Sequence, residues 1–224
     1  MDGTASHLSA SMTDRERTSN RSGTKSKIFS VRRDPNADRK DVLRPKNASK
    51  FQFVAGSTYK GDWSDNKKHG FGIQELPDGT KYEGEWAHGK RHGIGTLWII
   101  RNRISVKQYS GNWANGKMEG HGVYSYENGD IYSGEWHDNE RHGLGRLDSA
   151  GGDVYIGQWE RGKQHGQGEL CLHNGNKYDG YWMAGFKEGP GKFYYAATNK
   201  VTNCKFLSVY FLYVYFFIIV SSGL

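Results

Sequence analysis

From Tyr59 onward, large apolar side chains fall at every second position in short runs, and polar residues fill the places between them. Tyr59, Gly61 and Trp63 alternate with Lys60 and Asp62. A period of two is the signature of a half-buried strand, because successive side chains point to opposite faces. The block recurs, with its opening tyrosine at Tyr59, Tyr82, Tyr109, Tyr132, Tyr155 and Tyr178, in steps of 23, 27, 23, 23 and 23 residues. Each block is followed at a fixed distance by a pair of alternate glycines: Gly70 and Gly72, Gly93 and Gly95, Gly120 and Gly122, Gly143 and Gly145, Gly166 and Gly168, Gly189 and Gly191. Two places beyond the pair stands Leu97, Tyr124, Leu147, Leu170 or Phe193. Glycines this frequent would each cost a helix about 1 kcal/mol. Each unit therefore reads as two short antiparallel strands.

On the first strand, Tyr, Gly and Trp share one face. On the return strand, the glycine pair shares a face with the apolar residue beyond it. If these faces meet, a large ring lies over backbone that carries no side chain, an arrangement that offsets the intrinsic weakness of glycine in a strand. The other face is polar, as in an antiparallel meander wetted on one side. Asp78-Gly79, Asn128-Gly129 and Asn174-Gly175 predict tight hairpin turns with positive φ at both central residues, and Gly151-Gly152 is read the same way. The second turn of each unit, such as Ser64 to His69, reads as longer and polar. The second unit carries four extra residues, and its segments Leu97 to Ile100 and Ile104 to Val106 predict a lengthened hairpin.

Composition supports this. Only 35% of the 224 residues are hydrophobic, against 31 glycines, 14 tyrosines and 7 tryptophans, which is too little aliphatic material for a deep core. The net charge of +7 is concentrated in residues 1–50, with 12 Lys/Arg against 6 Asp/Glu; the remainder holds 19 against 18. A folded nucleic-acid binder would place its basic stripe on the folded part, so no nucleic-acid partner is expected. Two cysteines, Cys171 and Cys204, make no disulfide framework and suggest a reducing, cytoplasmic setting. No apolar leader is visible in residues 1–30.

The pattern Y-x-G-x-W, six residues, G-x-G resembles the MORN repeat (membrane occupation and recognition nexus) across Tyr59 to Thr198. The resemblance implies an all-β fold: an elongated, single-layer antiparallel β-meander of stacked hairpins, used as a binding platform without catalysis by the repeats. Units are expected at 59–81, 82–108 (lengthened), 109–131, 132–154, 155–177 and 178–200. A half-hairpin cap is expected at 49–58, after a basic and mostly disordered segment 1–48. Members of the family occur at cytoskeletal and membrane junctions and in sperm structures. The resemblance thus implies protein partners, with an acrosomal or other cytoplasmic vesicle setting as one expectation.

Two candidate surfaces follow. The first is the aromatic face formed by Tyr59, Trp63, Tyr82, Trp86, Tyr109, Trp113, Tyr132, Trp136, Tyr155, Trp159, Tyr178 and Trp182. With no second layer in the sequence to cover it, this face is expected to take an extended or helical partner segment. The second is a basic edge of Lys67, Lys68, Lys90, Arg91, Lys117, Arg141, Lys163 and Lys187, open to acidic phospholipid head groups or an acidic protein tail. Its alternative is a set of charges that merely keep a turn edge soluble. Histidines recur at His69, His92, His142 and His165. Equivalent residues two strands apart lie roughly 10 Å from one another, and zinc holds its nitrogen ligands at about 2 Å, so no metal ladder is expected. No catalytic set stands out and no cofactor is expected, since the glycine pairs lack the strand-loop-helix setting of a phosphate loop.

The repeat breaks at the C-terminal side. A new unit is due near residue 201, but Val201 to Lys205 lacks the motif, and an apolar run from Phe206 to Val220 follows. At 15 residues it falls short of the roughly 20 of a membrane span. Residues 201–224 are open to three readings: a short anchor, a sticky strand, or an isoform-specific tail read through a splice-donor-like junction. An open-ended array also leaves a strand edge that favours pairing with a second copy. The leading expectation is an adaptor for protein partners; the alternative is a peripheral membrane tether using the basic turns and the tail.

Overall fold

The computed structural model describes residues 51–54, by their backbone, and 56–207. The reading of residues 1–48 as disordered, and most of the apolar run after Phe206, lie outside the described residues. Fourteen strands follow one another: β1 (Phe51–Val54), β2 (Ser57–Ser64), β3 (Lys67–Glu75), β4 (Lys81–Ala87), β5 (Lys90–Arg101), β6 (Ile104–Ala114), β7 (Lys117–Ser125), β8 (Ile131–His137), β9 (Glu140–Asp148), β10 (Val154–Glu160), β11 (Lys163–Cys171), β12 (Lys177–Met183), β13 (Phe186–Tyr195) and β14 (Lys200–Phe206). They form one antiparallel sheet in strict sequence order, with no crossover. Strand β1 pairs with β2. The all-β, single-layer meander expected from the repeat is the fold.

The register explains the glycines. Gly61 faces Gly72, Gly72 faces Gly84, and Gly84 faces Gly95. The row runs on through Gly111, Gly122, Gly134, Gly145, Gly157, Gly168, Gly180 and Gly191. One glycine per strand thus crosses the sheet from β2 to β13. On β14 the row ends at Cys204, opposite Gly191. Each tyrosine ring lies along this row. A Cβ built on Gly145 would fall 2.5 Å from Tyr132 Cζ, and one on Gly61 would fall 2.5 Å from the Phe71 carbonyl oxygen, closer than real side chains come.

The two glycines of each pair do different work. The second underlies the tyrosine. The first has positive φ, as at Gly143 (φ 55), and sits where the register slips by a bulge. The polar residue at the fourth position of the motif caps the backbone next to it: Asp62 accepts from Phe71 N at 3.1 Å, Glu85 from Ile94 N at 3.0 Å, and Glu135 from Leu144 N at 3.0 Å.

The turns are the reverse of the expectation. The tight two-residue turns lie inside each unit, with positive φ at both central residues: Asp65-Asn66 (50, 57), His88-Gly89 (51, 82), Asn115-Gly116 (53, 91) and Asp138-Asn139 (53, 72). The Asx-Gly turns link successive units and are wider, with positive φ at the glycine alone. Gly79 N donates to Leu76 O at 2.9 Å and Leu76 N to Thr80 O at 2.8 Å, the pattern of a type I turn closed by a left-handed glycine. Asp78 stays in the ordinary backbone region and caps Thr80 N at 2.8 Å. Asx-Gly suits both turn types, and the loop length dictated by the register decides between them.

The lengthened second unit is a long hairpin, β5 against β6, closed at Asn102-Arg103 and offset by a bulge after Leu97. Arg101 reaches from it to the carbonyls of Tyr126 (3.0 Å) and Ser125 (3.2 Å) in the next unit. The break near residue 201 is milder than the sequence suggests. β14 pairs with β13 in the register of a seventh opening strand, one residue late: Thr202, Cys204 and Phe206 stand where tyrosine, glycine and tryptophan belong. Residues 200–206 are thus a strand, while the anchor and isoform readings concern residues that lie outside the described ones.

Gly145→Ala tests the glycine row. Its new methyl has no room between Tyr132 and Gly134, and overpacking of this kind costs typically 1–3 kcal/mol. We expect about 3 kcal/mol, read as a lower midpoint in urea. Gly151→Ala is the control: its φ is ordinary and its Cβ would meet only Ser149 Oγ, at 3.7 Å, so it leaves stability unchanged or raises it by about 0.4–1 kcal/mol. Equal losses in the two variants would refute the role of the row.

Candidate binding face

The side chains of the glycine-row face form a ladder of crossed rings. Each tyrosine meets the tryptophan of its own unit and that of the next, edge to face: Tyr82 with Trp86 at 5.0 Å and Trp113 at 5.4 Å, Tyr109 with Trp113 at 5.1 Å and Trp136 at 5.6 Å, Tyr132 with Trp136 at 5.1 Å and Trp159 at 5.3 Å. Tyr178 closes the ladder on Phe206 at 5.4 Å. Polar ends are satisfied internally. Tyr82 and Tyr132 donate to the carbonyls of Glu85 and Glu135 at 2.9 Å, three residues on. Trp86, Trp136 and Trp159 donate from Nε1 to Gly72, Gly122 and Gly145 of the preceding unit at 3.1–3.2 Å. Trp63 stands at the start of the ladder, and its Nε1 is buried without a partner among the described residues.

This geometry corrects the expectation of an open aromatic strip. The tyrosines are 0–2% exposed, and Trp86, Trp113, Trp136, Trp159 and Trp182 are 4–6% exposed. Tyr59, Trp63 and their ten counterparts are therefore the core of a one-layer protein. Eleven of the twelve have no surface left to offer, Trp63 being half-buried. Burial pushes the phenols of Tyr59, Tyr82, Tyr109, Tyr132 and Tyr155 far above their usual 10.0, and that of Tyr178 up to about 12.

The basic edge divides in two. Lys68, Arg91, Arg141 and Lys187 turn onto the ring face. Lys68 Nζ lies 4.5 Å from the Trp86 ring centre, and the Arg91 guanidinium 5.0 Å from Trp113. Arg141 lies 4.2 Å from Trp159, and Lys187 4.7 Å from Tyr178. Burial lowers the pKa of Lys68 and Arg91. Lys67, Lys90, Lys117 and Lys163, one place earlier in the repeat, stay exposed beside the tight turns, with Lys117 paired to Asp138 at 2.9 Å. One column of basic residues therefore covers rings, and the other forms a rim.

On the far side of the ladder, Leu97, Tyr124, Leu147, Leu170 and Phe193 pack half-buried against the rings. The face is thus a ring floor between a row of cations and a row of apolar side chains. The histidine column sits near the turns: His69 is 5.9 Å from His88, His142 is 5.6 Å from His137, and His165 lies 3.3 Å from Glu160. Among the described residues no group of three or more His, Cys, Asp or Glu is placed to hold a metal.

Residues that stitch one unit to the next escaped the sequence reading. Asp130, Asp153 and Asn176 accept from the backbone of Ala150, His173 and Ala196 in the following turn at 2.8–3.0 Å. The available signal was their place, each directly after a turn glycine.

A thin sheet of like hairpins, held by its own rings, with cations along one side of the ring ladder and apolar side chains along the other, defines a class: a β-repeat module. Sequence comparison gives the family. The MORN repeat matches residues 59–81, 82–99, 109–131, 132–154, 155–177 and 178–199, more than half of the chain, and the chain belongs to that family. The match in the second unit stops before the extended hairpin tip. Comparison with curated proteins gives no match. MORN repeats are in general protein- or membrane-binding modules and generally carry no catalysis.

Proposed function

We propose that this chain is a non-enzymatic scaffold or adaptor whose ring face holds a segment of a protein partner. The observation that supports this is the pair of rows that flank the sealed rings. Rings that stabilise one another leave the flanking rows free to contact a ligand, with Leu97, Leu147 and Leu170 on one side and Arg91 and Arg141 on the other. A segment carrying apolar side chains along one edge and carboxylates along the other matches both rows. The lengthened second unit, basic N-terminal segment and overall size resemble MORN repeat-containing protein 3. On that likeness we place the adaptor in the cytoplasm of male germ cells, at acrosomal or related vesicles.

The test is cross-linking capture from germ-cell extract, followed by binding of the purified partner to the full chain. Replacing Leu147 and Leu170 together by serine should weaken that binding at least tenfold, about 1.4 kcal/mol, while the ring ladder and its circular-dichroism signal persist. Unchanged binding would remove the apolar row from the reading. The exposed rim of Lys67, Lys90 and Lys163 supports the alternative of a tether to acidic phospholipid. Flotation of the full chain with phosphatidylserine vesicles, with and without residues 201–224, separates the two.

A further inference from the structure

On the face opposite the rings, three positions that hold polar or small side chains through the first five units become large and apolar in the sixth. At the fourth position of the motif, Asp62, Glu85, Asn112, Glu135 and Gln158 give way to Tyr181. Two residues on, Ser64, Ala87, Ala114, His137 and Glu160 give way to Met183. At the start of the return strand, Lys67, Lys90, Lys117, Glu140 and Lys163 give way to Phe186. The three share one face: Met183 faces Phe186 across the β12–β13 hairpin, and Tyr181 faces Glu188. Tyr181 is 44% exposed, Met183 40% and Phe186 58%. Leu207, immediately after β14, is 78% exposed. Phe206 packs on Tyr178 in the ring ladder, so alternation turns Leu207 toward the same side as the other three.

An exposed cluster of large apolar side chains, at positions where the other units carry polar or small ones, calls for cover. We propose that the cover is this chain's own residues 209–220, laid across the Tyr181, Met183, Phe186 and Leu207 patch. Three observations select this occupant. The chain departs from the patch itself, at Leu207, so the following segment is held there at high effective concentration. Residues 209–220 carry no charged or amide side chain, and the run is shorter than a bilayer span. Continuation of the meander is disfavoured by turn chemistry. In each unit a tight turn falls two and three residues after the tryptophan, at pairs such as Asn115-Gly116 and Asp138-Asn139, whose φ is positive. After Phe206 those places hold Ser208 and Val209, and a β-branched residue resists positive φ. On this proposal the segment leaves the sheet edge toward the face that carries Tyr181, Met183 and Phe186.

A photo-activatable benzoylphenylalanine placed at Phe186 of the full chain tests this. Irradiation should give a monomer-sized product in which position 186 is joined to a residue within 209–220, with a yield independent of protein concentration. Restoring the polar residues of the fifth unit, Tyr181→Gln with Met183→Glu, should abolish that product while leaving the circular-dichroism signature of the ring ladder intact. Joining of two copies, joining to acyl chains of added phosphatidylcholine–phosphatidylserine vesicles, or no joining to 209–220 would each overturn the assignment. None of these outcomes bears on partner binding along the ring face.

Discussion

Raising the pH through 10 and toward 12 should unfold the array in one cooperative step. In the unfolded chain a tyrosine ionises near 10.0; in the sheet, burial holds Tyr178 neutral to about 12 and the other five ladder tyrosines higher still. Over that interval the unfolded state binds fewer protons than the folded state, so stability falls as pH rises. The contribution is fully present below pH 10 and is lost as pH rises through the folded values. Each ladder tyrosine withdraws up to about 1.4 kcal/mol per pH unit. Six together remove, within one unit, an amount comparable with the roughly 5–15 kcal/mol that holds an ordinary domain together. Tyrosinate absorbance and the circular-dichroism signal of the sheet should change together. Ladder tyrosines that titrate near 10 in an intact sheet would show that the rings are not sealed.

Tyr132→Ala is expected to be the most damaging single substitution in the middle of the chain. Tyr132 is 0% exposed, touches Trp136 and Trp159 edge-on, covers Gly145 and carries the Glu135 hydrogen bond. Truncating a buried aromatic costs about 3–5 kcal/mol, and a single layer has no second sheet to collapse into the gap. Because each unit touches only its neighbours, the loss should uncouple the units on either side and broaden the thermal transition or split it in two. Tyr132→Phe keeps the ring and loses one hydrogen bond, so about 1 kcal/mol is expected. Calorimetry on the three proteins decides the matter: an alanine variant that melts like the parent would mean the ladder is not the core.

The repeat, the strand pairing and the meeting of ring with glycine were legible because a period of two leaves few alternatives once Tyr, Gly and Trp recur in register. The turns were less so. Asn128-Gly129 satisfies the rule for a two-residue hairpin, yet the fold uses it in a wider turn, and Arg161-Gly162 and Ala184-Gly185, with weaker signals, form the tight ones. Tightness there is imposed by the pairing of flanking strands. The basic edge divides for a related reason. Lys67 and Lys68 look alike in sequence, but alternation sends one to solvent and the other over Trp86. The aromatic face was placed correctly as a face. That its rings would be sealed could not be read from spacing, because sealing depends on each tyrosine reaching the tryptophan of the following unit. The strand Lys200–Phe206, one of three readings open for residues 201–224, could not be singled out because Thr202, Cys204 and Phe206 keep the positions of the motif after its letters have gone.

The uninterrupted strand order has a bearing on synthesis. Every strand pairs with those just before and after it, and even the reach from Arg101 to Tyr126 spans only 25 residues. Such local topology folds fast, and a nascent chain emerges at about 5–20 residues per second. Each hairpin can therefore close while the next is still inside the ribosome, growing the protein like a ribbon paid out from one end.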